Sequence, residues 1–376
     1  VLEVRKGVFG LEDPDTMWSL NDLGITYMYS GQASLGVPMT GQAFQLRSKV
    51  LGPEHPDTVV TMQAYGMILF STGQAEKALP ILLRAVELNE RLRGRDHTVT
   101  LDNNGSAGNA YSNLYRYEEA IKYFTIAADG YSRLFGEKHT AGVTWRMNIA
   151  AAYMDGGRFQ EAIPILRAYI PKWIQARGKD DERVQHAVYL LAKNLLWSGS
   201  HDEALEIGLP LLADRIRQNG AGHSAIVSLS EVVAQAHVRK NQLPEAEAVY
   251  RRVIEARRAA KAGVTGLEAG RAAVWLRQQR WSDAETLARA ALPKDGAEAS
   301  WDGSYLRGLT GAAMANQGRH GEAEPFLLAA HAAMTALRSQ TRAAELYKMD
   351  DVRSWIVGLY KGQGKVELAA QWTARP

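Results

Sequence analysis

A seven-residue string returns down this chain at a constant interval, and the interval dictates the architecture. Gly10-Leu-Glu-Asp-Pro-Asp-Thr16 recurs as Gly52-Pro-Glu-His-Pro-Asp-Thr58 and, altered, as Gly94-Arg-Asp-His-Thr-Val-Thr100. The leading glycine continues at Gly136, Gly178 and Gly220, each 42 residues after the last. A fixed period of this size means stacked supersecondary units, each packed on its neighbours, rather than one closed core. Such a stack presents an extended surface, which points to binding and away from a buried catalytic pocket.

A second element travels with the first. It reads Gly73-Gln-Ala-Glu-Lys-Ala78, Tyr115-Arg-Tyr-Glu-Glu-Ala120, Gly157-Arg-Phe-Gln-Glu-Ala162, Gly199-Ser-His-Asp-Glu-Ala204 and Asn241-Gln-Leu-Pro-Glu-Ala246. Later copies, opening at Gln279, Gly318 and Gly364, drift to spacings of 38, 39 and 46. Seven positions before each turn stands a small residue, among them Gly24, Gly66, Gly108, Ala150, Ala192, Ala234, Ala272 and Gly311. The alanine twelve positions later supplies a small partner on a second helix. The pattern predicts helix–turn–helix units whose turns open with Gly or Asn, residues that tolerate a left-handed backbone.

The heptapeptide is expected at the junctions. Its glycine ends one unit, and Asp15 and Thr16, or Asp57 and Thr58, are placed to cap the next helix. Pro80, Pro164 and Pro325 are expected in or just past the first turn of a second helix, where proline is tolerated. The fold class is therefore all-α: a right-handed superhelical solenoid of antiparallel helix pairs, about nine in number. Residues 10–262 form the regular repeats, 263–376 a less regular end, and 1–9 the end of a truncated preceding helix.

Composition narrows the function. Of 376 residues 46% are hydrophobic, ample for a folded chain, and the net charge of +3 is too small to predict a nucleic-acid or membrane partner. Cysteine is absent, which excludes disulfides and thiolate metal sites and suits a reducing compartment such as the cytoplasm. His55, His97, His139 and His223 repeat once per junction. Adjacent copies are on the order of 10 Å apart, too far to share an ion, so local turn hydrogen bonds are expected and neither metal nor cofactor. No paired-carboxylate, nucleophile or phosphate-loop pattern stands out, and the chain reads as a non-enzyme.

The small-residue positions resemble the tetratricopeptide repeat lengthened to 42 residues. The junction Leu51-Gly-Pro-Glu-His-Pro-Asp-Thr58 is similar to that of the kinesin-light-chain subtype. Residues 304–328 and 359–372 resemble the C-terminal end of large bacterial serine/threonine kinases that carry such repeats. The resemblance implies an interaction scaffold with a concave groove. The alternative it implies is a regulatory region whose kinase lies upstream, since no His-Arg-Asp or Asp-Phe-Gly motif occurs here.

On the repeat frame the groove takes the first helix of each unit. It is expected to present Trp18, Asn21, Tyr29, Gln63, Met67, Phe70, Asn109, Asn113, Tyr189, Lys193, Trp197, Arg239 and Arg277. Aromatic, Met and Arg side chains are the types enriched at binding hot spots, and amides can clamp a peptide backbone. The partner expected is a protein or peptide with an apolar or aromatic anchor and acidic flanks. The anchor would meet the Trp18–Phe70 end or Tyr189–Trp197, and the acidic part Lys193, Arg239 and Arg277.

Overall fold

The computed structural model describes residues 1–292 and 300–374. Among them are nineteen α-helices, two 3-10 turns and no strand, as the repeat requires. The chain divides into two compact units, Val1–Gly156 and Gly157–Pro376.

The first unit holds α1 (Leu2–Phe9), α2 (Pro14–Tyr29), α3 (Ala33–Val50), α4 (Pro56–Ser71), α5 (Ala75–Arg93), α6 (Thr98–Asn113), α7 (Tyr117–Phe135) and α8 (Thr140–Asp155). The second begins with α9 (Phe159–Arg177), α10 (Glu182–Trp197), α11 (His201–Asn219), α12 (Ser224–Arg239) and α13 (Leu243–Ala259). It continues with α14 (Thr265–Arg277), α15 (Trp281–Ala291), α16 (Trp301–Asn316), α17 (His320–Leu337), α18 (Tyr347–Gly362) and α19 (Val366–Thr373). The 3-10 turns, Arg338–Gln340 and Ala343–Glu345, lie between α17 and α18. In chain order this makes nine helix–turn–helix elements after α1.

Small residues set the helix crossings. A Cβ added at Gly36 would lie 2.5 Å from the carbonyl oxygen of Gly24, and one added at Gly108 would lie 2.6 Å from the Phe124 ring. The partner alanines Ala78, Ala120, Ala162, Ala204, Ala246 and Ala323 are all 0% exposed. Larger side chains there would drive the helices apart, so small residues are required for packing and not merely tolerated.

Two kinds of turn alternate. The junction glycines close the second helices with φ near +80° to +90° and ψ of 151–175°, as at Gly10, Gly94, Gly136, Gly178 and Gly220. That region is essentially closed to any residue with a Cβ. The turns inside the units also have positive φ, but Tyr115, Asn241 and Gln279 adopt it at 60°, 57° and 62°. The junction thus demands glycine more strictly than the internal turn.

The caps differ from the sequence expectation. The helices begin two or three residues earlier, with Pro14 and Pro56 as first helical residues and Asp13 and His55 as N-caps. The Asp13 carboxylate accepts from Thr16 N–H at 3.0 Å. Nδ1 of His55, His97 and His223 accepts from the N–H two residues on at 3.2, 3.2 and 3.3 Å. The periodic histidines are therefore helix N-caps; His55, His97 and His223 bond locally, as expected of turn residues, whereas the His139 Nδ1 is buried without a hydrogen bond and its ring stacks on Tyr131 and Phe135. Thr16 and Thr58, expected to cap, are instead fully buried in the first turn, as is the equivalent Thr100. Pro80, Pro164 and Pro325 sit at the sixth helical position, past the first turn, and the helices run on through them.

An arginine clasp also repeats. Arg47 of α3 donates to Asp57 O at 3.1 Å and Thr61 Oγ1 at 2.5 Å on α4. Arg5 of α1 makes the equivalent bonds to Asp15 O at 3.0 Å and Ser19 Oγ at 2.8 Å. Arg215 reaches Ala225 O at 3.0 Å in the same register. Each clasp sets a charged donor on a first-turn carbonyl of the next helix and ties one pair to the next. The register also shows that α1 packs on α2 as a second helix does.

Candidate binding surfaces

In the first unit, α2, α4 and α6 are neighbours, and their repeat-equivalent positions form one face. Gln63, Met67 and Phe70 lie along α4 at i, i+4 and i+7 and stay half-buried. Asn109 is half-buried and Asn113 exposed on α6, and Asn109 Oδ1 accepts from Asn148 Nδ2 at 3.4 Å. Tyr29 at the end of α2 is 79% exposed. Two expected groove residues sit differently. Asn21 is 1% exposed and belongs to the helix packing. The Trp18 ring is covered by the Arg47 guanidinium, 3.8 Å from its centroid. The arginine that clasps α4 therefore occupies one face of the indole.

In the second unit the structure brings Tyr189, Lys193 and Trp197 of α10 to one cavity of about 210 Å³. The facing wall is α12, with Ser228, Glu231, Val232 and Gln235. The third wall is the chain's own connection between α17 and α18, through Arg342, Glu345 and Tyr347. This connection lies across the first-helix surface as a strap. The Tyr347 ring packs 4.9 Å from that of Trp197, and its oxygen accepts from Gln235 Nε2 at 3.3 Å. Arg239 places its guanidinium over both rings, 5.5 Å from Trp197 and 5.9 Å from Tyr347. Arg277 lies apart from the cavity and pairs with Asp351 at 3.7 Å.

Charge is concentrated beside the strap. Lys348, 5% exposed, donates to Asp302 at 2.8 Å and pairs with Glu345 at 2.9 Å. Burial opposes its charge, but Tyr347 and the surrounding carboxylates more than offset that and hold the ammonium well above the usual lysine value. Glu231 has the opposite fate. Burial, reinforced by Glu345 and Asp302, outweighs Lys348 and Lys193 and pushes its carboxyl up to about 7.

Glu231 was legible in principle. It stands 42 residues after Tyr189, at the same repeat position, but a glutamate on a helix reads as a solvent-facing residue. Arg342, Glu345 and Tyr347 carry no such signal, because the period has already broken. Among the described residues no group of three or more His, Asp or Glu is arranged to hold a metal ion. None of the described helices is long and apolar enough to cross a membrane.

Comparison with known proteins supports the repeat. Tetratricopeptide-repeat family models match residues 16–57, 39–91 and 63–124. No curated protein sequence matches the chain. Among solved structures, a putative kinesin light chain with nearly identical TPR-like repeats from Podosopora anserina is 20% identical, with a TM-score of 0.50. That match covers 55% of this chain and 97% of the other. The apo quorum sensor NprR from B. thuringiensis is 14% identical, with a TM-score of 0.61, over 84% of this chain and 87% of the other. A Rap protein complexed with competence and sporulation factor is 11% identical, with a TM-score of 0.61, over 96% of each chain. Residues 16–124 therefore match tetratricopeptide repeats, and the all-α fold of the chain is similar to that of kinesin-light-chain-like tetratricopeptide-repeat proteins.

Proposed function

We propose that the protein is a non-catalytic interaction module that takes a segment of another protein along the first-helix face of Val1–Gly156. The observation that carries this is the stripe Gln63, Met67 and Phe70, continued by Asn109, Asn113 and Tyr29. These side chains remain partly or wholly exposed while the residues on the packing side of the same helices are fully buried. Apolar side chains offer an anchor site, and the amides offer donors and acceptors to an extended backbone. The similar fold of a Rap protein complexed with competence and sporulation factor agrees with a peptide partner. An aromatic anchor suits the Met67 and Phe70 part of this face. Arg239 and Arg277, expected to hold the acidic part, already face Tyr347 and Asp351 of this chain.

The test is binding of an acidic-aromatic peptide library, beside scrambled-charge controls, to the wild type and to Met67→Glu. The stripe predicts that selected peptides lose at least roughly tenfold in affinity, the equivalent of one buried hot-spot contact. Equal binding by Met67→Glu, or no selection over the controls, removes this reading.

A further inference from the structure

The strap-closed cavity of the second unit has a chemistry distinct from the peptide face. Most charges around it are already matched. Glu345 and Asp302 hold Lys348, and Arg239 lies on the Trp197 and Tyr347 rings. Two charged lining groups are left over. Among the described residues the Glu231 carboxylate and the Lys193 ammonium make no hydrogen bond or ion pair, although each feels the other's field. The Trp197 indole N–H is buried without an acceptor. Lys193 and Glu231 are half-buried, and charges so placed cost free energy unless something answers them.

Their placement says what would answer them. Lys193, the donor, stands on α10 one turn before Trp197, whose own N–H is shut off from the cavity. Glu231, the acceptor, stands on α12 opposite. An occupant needs a carboxylate toward α10 and an ammonium toward α12, with no net charge. The volume of about 210 Å³ is below the roughly 300–1,000 Å³ of sites for larger ligands. We propose that this cavity is a binding site for a free α-amino acid, its carboxylate on Lys193 and its ammonium on Glu231. Tyr189, Leu196 and Val232 then border its side chain. The strap residue Tyr347 forms part of the wall, so occupancy holds the connection in place and links the ligand to the stability of this unit.

The experiment is calorimetric titration of the full chain at pH 8 with each of the common amino acids as probe. At least one binds at one per chain. Its methyl ester and its N-acetyl derivative, each lacking one charge, bind at least roughly tenfold more weakly, as lost charge-assisted hydrogen bonds require. Lys193→Met and Glu231→Gln each cause a comparable loss, with folding of both variants checked by circular dichroism. Binding by none of the amino acids overturns the proposal, as does equal binding by the ester and the acetyl derivative. Those two derivatives keep the test decisive on wild-type protein even if a variant misfolds. A dipeptide that binds as tightly as its free N-terminal residue overturns the carboxylate contact and assigns the cavity to a chain end. The outcome is independent of Met67→Glu, so failure here leaves the peptide face standing.

Discussion

The two units solve the same packing problem with different economy of contacts. In Val1–Gly156 the period is unbroken, and helices meet through glycine and alanine at fixed places. Contacts run between sequence neighbours, and the first-helix face is left uncovered. In Gly157–Pro376 the period slips after Asn241, and a connection of residues 338–346 replaces a short junction. That connection brings Tyr347 to Gln235, 112 residues away in sequence. The same unit buries Lys348 and draws Glu231, Glu345 and Asp302 around it. A strict repeat keeps its surface available for a partner. A broken repeat allows the chain to cover its own surface and to enclose charge there.

The largest expected effect tests whether the second unit depends on that enclosed charge. Lys348→Met removes the cation shared by Asp302 and Glu345 and leaves carboxylates facing one another. A loss on the order of 3 kcal/mol is expected, as for breaking a buried ion pair. Hydrogen exchange should show lost protection in α16 and α18 with the first unit unchanged, because coupling in such stacks is to nearest neighbours. Equal loss in α2–α7 would erase the contrast between the units.

A smaller effect tests the crossings of the regular unit. Gly36→Leu and Gly108→Leu should each cost about 1–3 kcal/mol, with Gly36 at the upper end. At Gly36 the nearest atom is the Gly24 carbonyl oxygen, which cannot rotate away, whereas at Gly108 it belongs to the Phe124 side chain. Urea unfolding ranks the two. A Gly108 variant that unfolds earlier than the Gly36 variant would show that ring packing, not backbone approach, limits these crossings.

The smallest effect sharpens the electrostatic difference. The folded Glu231 carboxyl titrates near 7, above its ordinary value of 4.5. The native state therefore binds this proton more tightly than the unfolded chain does. The stability it contributes is fully present below about 4.5 and is lost as pH rises to about 7. The groups facing it are Lys193 from α10, Lys348 and Tyr347 from α18, Tyr250 from α13, Glu345 from the strap and Asp302 from α16. Glu231→Gln should raise the Tm relative to wild type at pH 8 and leave it nearly unchanged at pH 4. An offset equal at both pH values would place Glu231 in contact with solvent and remove its role in the cavity.

Much of the fold was readable before any coordinates. The junction glycines, the internal turns and the partner alanines all follow from one interval, and each occupies the place that interval assigns. The cap was misplaced by two or three residues because Asp and Thr are the familiar capping types, while histidine Nδ1 accepts the same hydrogen bond without announcing it. Among the surface residues, Met67, Phe70 and Asn113 remain accessible on the face the repeat frame gave them. Trp18 and Asn21 stand in the same frame yet are covered or buried, because Arg47 and the neighbouring helix fill the space.

Sequence alone determined the repeat, its all-α class and the residues at each crossing, because those contacts lie within about one period of each other along the chain. Tertiary structure alone decided the strap, the cage around Lys348 and the unpaired Lys193 and Glu231 of the cavity. Those contacts join residues separated by up to 112 positions, where no periodic signal survives. A glutamate or lysine on a helix face looks the same in sequence whether water or the chain's own backbone lies over it. Only the packed molecule settles which.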